Sequence, residues 1–134
     1  MTPDTKPRIG ITHGDTNGIG YEIILKTLED QRILELCTPI VYGSGRMATY
    51  HRKGMNLAQV NFVTREDASE ALPDEYTIIN VVPDDVKIDL GQPTQAAGQA
   101  AFAALERATA DLRDGKIDAL VTAPINLSLI HISE

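Results

Sequence analysis

Between Arg8 and Glu22 the chain reads RIGITHGDTNGIGYE, and the polar residues His13, Asp15, Thr16 and Asn17 fall among Gly14, Gly18 and Gly20. Ile9 and Ile11 give the segment before them the β-branched, uncharged character of a buried strand. From Tyr21 onward Ile23, Ile24, Leu25 and Leu28 alternate with Glu22, Lys26, Glu29 and Asp30 in a helical pattern. A strand that ends in a glycine-rich turn and enters a helix aims backbone N–H groups into one concavity, which suits an anion or a polar substrate group. The spacing is G-x-x-x-G-x-G, so the dinucleotide fingerprint fails. No Lys-Ser or Lys-Thr follows the last glycine, so a Walker-type phosphate loop fails as well.

A second stretch, Asp118 to Asn126 (DALVTAPIN), repeats the arrangement. An apolar strand ends in Thr122, Pro124 and Asn126. In a parallel sheet, Thr122 and Asn126 share a rim with His13 to Asn17. Two strand ends that converge on one rim are where open α/β sheets place ligands.

These rims need a frame of strands and helices in alternation. The strand from Arg8 leads into a helix running to about Leu28, and Asp30–Leu36 continues it or forms a second helical piece that Pro39 stops. Ile40–Tyr42 reads as a second strand ending at Gly43-Ser44-Gly45. Arg46–Lys53 reads as a helix with Gly54 as its cap, and Val60–Val63 as a third strand. Thr64–Glu75 is charged and reads as a solvated connection. Its acidic residues have no His or Cys among them and form a wet face rather than a metal site. Tyr76–Val82 is a fourth strand, closed by a turn at Pro83-Asp84-Asp85. Thr94 is the N-cap of the longest helix, whose apolar face is Gly98, Ala101, Phe102, Leu105, Ala108, Thr109 and Leu112. Its many alanines allow close approach to a sheet, and Gly115 ends it. Ile117–Thr122 is the last strand. The alternation specifies an α/β fold, a layered sheet of parallel type with helices on its faces.

Composition narrows the class. At 134 residues and 43% apolar the chain makes one modest domain with a core, and no run is long and charge-free enough to span a membrane. The net charge of −7 disfavours nucleic acid and anionic bilayers as partners. Scarce aromatics and no Trp argue against a stacking platform for single strands. The single cysteine, Cys37, excludes an internal disulfide and reads as a small core residue. With no secretory pattern at the start, a cytoplasmic address is the default.

The segment G-D-x-x-G-I-G-x-E at Gly14–Glu22 resembles the opening of the 4-hydroxythreonine-4-phosphate dehydrogenase family. VTAPIN at Val121–Asn126 resembles that family's V-T-A-P-I-N-K segment, and GQPTQAAGQAAFAALERA is similar to its intervening helix. The resemblance runs from Arg8 to Asn126. It implies an isocitrate-dehydrogenase-like α/β fold and a homodimer. It implies oxidation of the C3 hydroxyl of 4-(phosphooxy)-threonine, a phosphorylated hydroxy-amino acid, with NAD or NADP, in pyridoxal phosphate synthesis. The ketone product then loses carbon dioxide. A divalent metal (Zn, Mg or Co) would polarise the reacting oxygen. Carried onto this chain, the resemblance makes Asn126 the substrate-binding candidate and Thr122 a supporting one. Gly14, Asp15, Gly18, Gly20 and Glu22 match the opening motif and shape the site floor. A threonate or erythronate phosphate stays open as the substrate.

The family's metal-binding histidines lie beyond Asn126, so the catalytic base, metal ligands and cofactor contacts are not assigned here. Of the histidines, His51 sits among charged residues and reads as a surface residue. His131 falls in the octapeptide LSLIHISE, Leu127–Glu134, where Leu127 stands in place of a family Lys. That octapeptide resembles read-through of a sequencing adapter. The expectation is therefore that residues 1–126 are the N-terminal part of an α/β dehydrogenase and 127–134 a non-native tail. Alone, the chain is then expected to lack dehydrogenase activity and a stoichiometric metal site. It is also expected to expose a sheet edge and an apolar helix face. The competing reading is a small non-catalytic α/β module that binds an anion at the Gly14–Gly20 turn.

Overall fold

The structure, a computed structural model, describes residues 6–13, 20–57, 60–81 and 95–123. Its elements in chain order are β1 (Arg8–Thr12), α1 (Gly20–Leu28), α2 (Ile33–Leu36), β2 (Thr38–Gly43), α3 (Gly45–Gly54), β3 (Phe62–Arg65), β4 (Tyr76–Asn80), α4 (Gln95–Arg113) and β5 (Ala119–Thr122), with a short 3-10 turn at Ala68–Glu70. The strands form one sheet in the order β3-β4-β2-β1-β5, and each neighbouring pair is parallel. The parallel, layered α/β architecture is thus the one the alternation of patterns specifies.

Strand alternation divides the core between two faces. Val41, Tyr76 and Ile78 point to one side, where Tyr21, Ile24, Leu25 and Leu28 of α1 and Met47 and Ala48 of α3 cover them. Ile40, Tyr42 and Ile79 point to the other, against Ala104 and Ala108 of α4, with Ala68, Ala71 and Ile117 completing the layer. β2 is buried throughout its length, as a central strand covered on both faces must be. Each fully buried side chain such as Leu25 or Leu28 contributes about 1.5–3 kcal/mol of transfer free energy.

The opposite end of the sheet is tied by Arg8. Its Nε donates to Lys116 O at 2.9 Å and its Nη1 to Ala71 O at 3.1 Å, while Nη2 reaches Ala68 O. Its backbone N–H meets Asp118 Oδ2 at 2.8 Å. One guanidinium thus satisfies carbonyls from the loops that enter β4 and β5, which aligns the strands whose far ends form the site.

Several boundaries differ from the sequence-based expectation for local reasons. Pro39 lies inside β2 and does not end a helix. Thr38 N–H bonds Pro7 O on the β1 side, so the missing Pro39 N–H falls on the β4 side, where pairing starts only at Ile40 with Thr77. Gly54 is the last residue of α3 and not its left-handed cap. That conformation falls on Asn56, at φ 60°, with Leu57 N–H on Arg52 O and Asn56 N–H on Lys53 O. β3 starts two residues later than Val60 and takes in Thr64 and Arg65, which pair with Ile78 and Ile79. β4 stops at Asn80. On α4 the buried stripe is Ala101, Ala104, Ala108 and Asp111, whereas Thr109 and Leu112 are exposed. The small side chains, not the large ones, meet the sheet. Gly115, at φ 79°, closes α4 as expected, with Lys116 N–H on Asp111 O at 2.8 Å. Thr94 and the turn at Pro83–Asp85 lie outside the described residues, as does the whole Gly91–Thr94 lead-in.

Candidate functional site

Because the strands are parallel, their carboxyl ends share one rim. It carries, in spatial order, Asn80, Gly43-Ser44, Thr12-His13 and Thr122-Ala123. From β1 the chain crosses to β2 through α1 on one face, whereas it reaches β5 through α4 on the other. The strand order therefore reverses between β1 and β5, and such a reversal opens a crevice above the carboxyl ends of the two strands. Thr12 and Thr122 stand opposite each other in register at that crevice, and Ala123 N–H donates to Thr12 O at 3.0 Å.

The hydroxyls of this pair are in different states. Thr12 is 1% exposed, and its Oγ1 has no hydrogen-bond partner among the described residues. Thr122 is exposed, and its hydroxyl donates to Ala123 O at 3.0 Å. A buried hydroxyl without a partner costs roughly 1–3 kcal/mol.

Gly20 joins the helix to this rim. A Cβ there would run into the carbonyl oxygen of His13 and come within 3.4 Å of the Ala123 methyl. Only a glycine lets the first turn of α1 sit against the ends of both β1 and β5.

Beside the crevice lies a stack of three rings. His13 and Tyr21 are 5.3 Å apart at 5°, and Tyr21 and His51 are 5.4 Å apart at 13°. Tyr50 meets His51 edge-on at 5.4 Å. Ser44 N–H donates to Tyr21 Oη at 2.8 Å, and burial pushes the Tyr21 phenol well above its usual range. The stack needs a bare backbone at Gly43, since a Cβ there would lie 2.5 Å from Tyr21 Oη and 2.9 Å from His13 Cδ2. Ser44 also caps α3, its Oγ accepting from Met47 N at 3.2 Å, while Asn80 Oδ1 takes the Gly45 N–H at 2.7 Å. Aromatic clamping and caps thus fix the rim residues of β1, β2 and β4.

His51 corrects the surface reading. Only 9% of it is exposed, because the turn of α3 that carries it faces α1 despite the charged residues next to it in sequence. Burial lowers its imidazole pKa, opposed by the nearby Glu22 carboxylate.

Of the candidates named from sequence, Thr122 and Gly20 are on the described rim. Gly14, Asp15, Gly18 and Asn126 lie outside the described residues. Sequence reasoning passed over Thr12, Tyr21, Ser44 and Asn80. The glycines flanking Ser44 marked a turn, but nothing in the order of residues signals that Tyr21 reaches across to β2. Among the described residues no three His, Cys, Asp or Glu side chains are grouped to hold a metal ion. His13 and His51 are held apart by the Tyr21 ring. These described residues do not fit a divalent metal.

A family profile described as pyridoxal phosphate biosynthetic protein PdxA matches residues 35–134. The chain is 50% identical over 131 residues to the 4-hydroxythreonine-4-phosphate dehydrogenase of Bacteroides thetaiotaomicron, covering 98% of this chain and 36% of that protein. It is 35% identical over 132 residues to the D-threonate 4-phosphate dehydrogenase of Cupriavidus necator, covering 96% and 39%. The crystal structure of a 4-hydroxythreonine-4-phosphate dehydrogenase from Burkholderia phymatum superposes with a TM-score of 0.83 at 34% identity, over 96% of this chain and 39% of that one. The chain thus spans less than two fifths of the length of these relatives, and the layered sheet is of the isocitrate-dehydrogenase-like type. With the profile matching well over half of its residues, the chain belongs to the pyridoxal phosphate biosynthetic protein PdxA family, whose curated relatives are named as dehydrogenases.

Proposed function

We propose that this chain is the substrate-binding front part of an NAD(P)-dependent dehydrogenase that oxidises 4-(phosphooxy)-threonine in pyridoxal phosphate synthesis. The observation that carries the reading is the register pair Thr12 and Thr122 at the point where the sheet order reverses, in a chain 50% identical to a 4-hydroxythreonine-4-phosphate dehydrogenase. On this reading the rim binds and orients the polar groups of the substrate. Thr12 Oγ1 and Thr122 supply hydroxyls, and the Gly14–Gly20 turn supplies backbone N–H groups toward the phosphate. Asn126 adds a side-chain amide, Gly14, Asp15 and Gly18 shape the floor with Gly20, and the ring stack holds β1 and β2 in place. The nicotinamide accepts the hydride when bound. A cytoplasmic homodimer belongs to the same proposal.

A second substrate is favoured by one observation. The 35% identical Cupriavidus relative is named for D-threonate 4-phosphate, which carries a hydroxyl in place of the amino group. The test is a chimera in which residues 1–126 replace the matching region of the Bacteroides relative. Reduced nicotinamide should form with 4-(phosphooxy)-threonine and D-threonate 4-phosphate should be poor. A folded chimera that turns over only D-threonate 4-phosphate, or neither compound, overturns the proposal.

A further inference from the structure

The stretch Gly14–Gly20, read from the sequence as an anion-binding turn, is bracketed by two buried rings. His13 precedes it at 0% exposure and Tyr21 follows it at 1%. Their planes lie 5° apart with centroids at 5.3 Å, so the chain leaving β1 and the chain entering α1 are joined ring on ring. The backbone closes at the same place, because a Cβ on Gly20 would run into the His13 carbonyl oxygen. Tyr21 is itself held from two more elements. His51 of α3 stacks on it at 5.4 Å, and Ser44 N–H donates to its Oη at 2.8 Å. Both rings of the pair use the space left by Gly43, where a Cβ would lie 2.5 Å from Tyr21 Oη and 2.9 Å from His13 Cδ2.

A glycine-rich turn has many backbone states, and its N–H groups bind an anion well only when they converge before the ligand arrives. Fixing the two ends of such a turn lowers the ordering cost that binding must otherwise meet. We propose that Tyr21 is a positioning residue: its ring, stacked on His13, clasps the two ends of the Gly14–Gly20 stretch and thereby holds that stretch in its phosphate-binding form. The role rests on the functional reading above, which puts the substrate phosphate there. Ring and phenol have separate duties. The ring serves the clasp, whereas the phenol oxygen serves the N–H of Ser44, the N-cap of α3.

Variants of the chimera described above separate the two duties. Tyr21→Phe keeps the ring and leaves Ser44 N–H without its acceptor. It should lower the melting temperature while KM for 4-(phosphooxy)-threonine stays within about two-fold. Tyr21→Leu removes the stack. Assayed well below its own melting temperature, it should raise that KM about ten-fold and leave kcat and the KM for the nicotinamide cofactor within about two-fold. His13→Leu opens the clasp from the other side and should raise KM equally, and the double variant should add nothing, as two halves of one contact require. His13→Leu also supplies the reading if Tyr21→Leu does not fold. Unchanged KM in the folded leucine variants makes Tyr21 merely structural and overturns the proposal. So does a Tyr21→Phe variant whose KM rises as far as that of Tyr21→Leu, which would place the effect on the Ser44 bond. A folded parent chimera that turns over neither substrate fails the functional reading instead. The clasp is then read in this chain by NMR with inorganic phosphate. Phosphate should shift the amide signals of Gly14, Gly18 and Gly20 at about ten-fold lower concentration in the parent and in Tyr21→Phe than in Tyr21→Leu. Equal concentrations, or no shift in the parent, overturn the clasp.

Discussion

Tyr42 on the central strand β2 donates its phenolic hydrogen to Asp111 on α4 at 2.6 Å, at a point where both residues are buried. Burial, and next the bond to Asp111, raises the Tyr42 phenol far above its ordinary value. Arg107, one helical turn back, lies 3.7 Å from the same carboxylate oxygen. Tyr42→Phe leaves that buried carboxylate short of a donor and should destabilise the chain by about 1–3 kcal/mol. Asp111→Asn keeps an acceptor for the phenol and should cost less than Asp111→Ala. Urea unfolding of the three variants checks the order; a neutral Tyr42→Phe would show that Arg107 alone satisfies Asp111.

His51 predicts the direction of the acid response. Its pKa in the folded chain lies below the value of about 6.5 for an unperturbed imidazole. Above that pH the ring is neutral in both states and contributes no pH dependence. As the pH falls through the unfolded value the unfolded chain takes up the proton first, so stability declines until the lower folded pKa is passed and then levels off. Its Nε2 is buried with no partner among the described residues, which leaves the added proton unsatisfied. Thermal melts between pH 7.5 and 5 should therefore show a falling midpoint, and His51→Phe, which keeps a ring against Tyr21, should flatten the fall. Glu22 works against the effect, so Glu22→Gln should steepen it.

Two glycines at helix ends should respond in opposite ways to alanine. Gly20→Ala pushes a methyl into the His13 carbonyl, a backbone atom that cannot rotate away, and should cost about 1–3 kcal/mol. Gly54→Ala meets nothing within 4 Å and replaces the last residue of α3. It should stabilise by roughly 0.4–1 kcal/mol by restricting the unfolded chain. Midpoints that move the same way in both variants would contradict the close packing of α1 on the strand ends.

The parts of the fold that were legible in the sequence are those set by local pattern. Ile9 and Ile11 before a glycine turn, the alternation of strands with helices, and Gly115 at the end of α4 each express a rule that acts within a few residues. What was not legible depends on partners distant in the chain. Pro39 reads as a breaker until the side of the strand it leaves unbonded is known. His51 reads as surface because its sequence neighbours are charged, yet it stacks on a tyrosine thirty residues earlier in the chain. Asp111 breaks the expected apolar stripe of α4 because Tyr42 waits for it on β2. Half of the candidate site follows the same division: Thr122 is given by its place after an apolar run, whereas Thr12 becomes visible only through its register with Thr122.

Thr12→Val separates binding from folding at that pair. The change keeps the branched shape and removes a hydroxyl that is buried without a partner among the described residues. In this chain it should leave stability unchanged or raise it by up to about 1 kcal/mol, since a desolvated polar group is lost and no hydrogen bond with it. In the chimera with the Bacteroides relative, the same change should raise KM for the phosphorylated substrate about ten-fold, the equivalent of one hydrogen bond to a bound polar group. Thr12→Ser, which restores the hydroxyl, should recover the KM while losing a buried methyl and some stability. A Thr12→Val chimera with unaltered KM would place the substrate away from the β1–β5 crevice. A large loss of stability in the short chain would mean instead that the hydroxyl is used inside the fold.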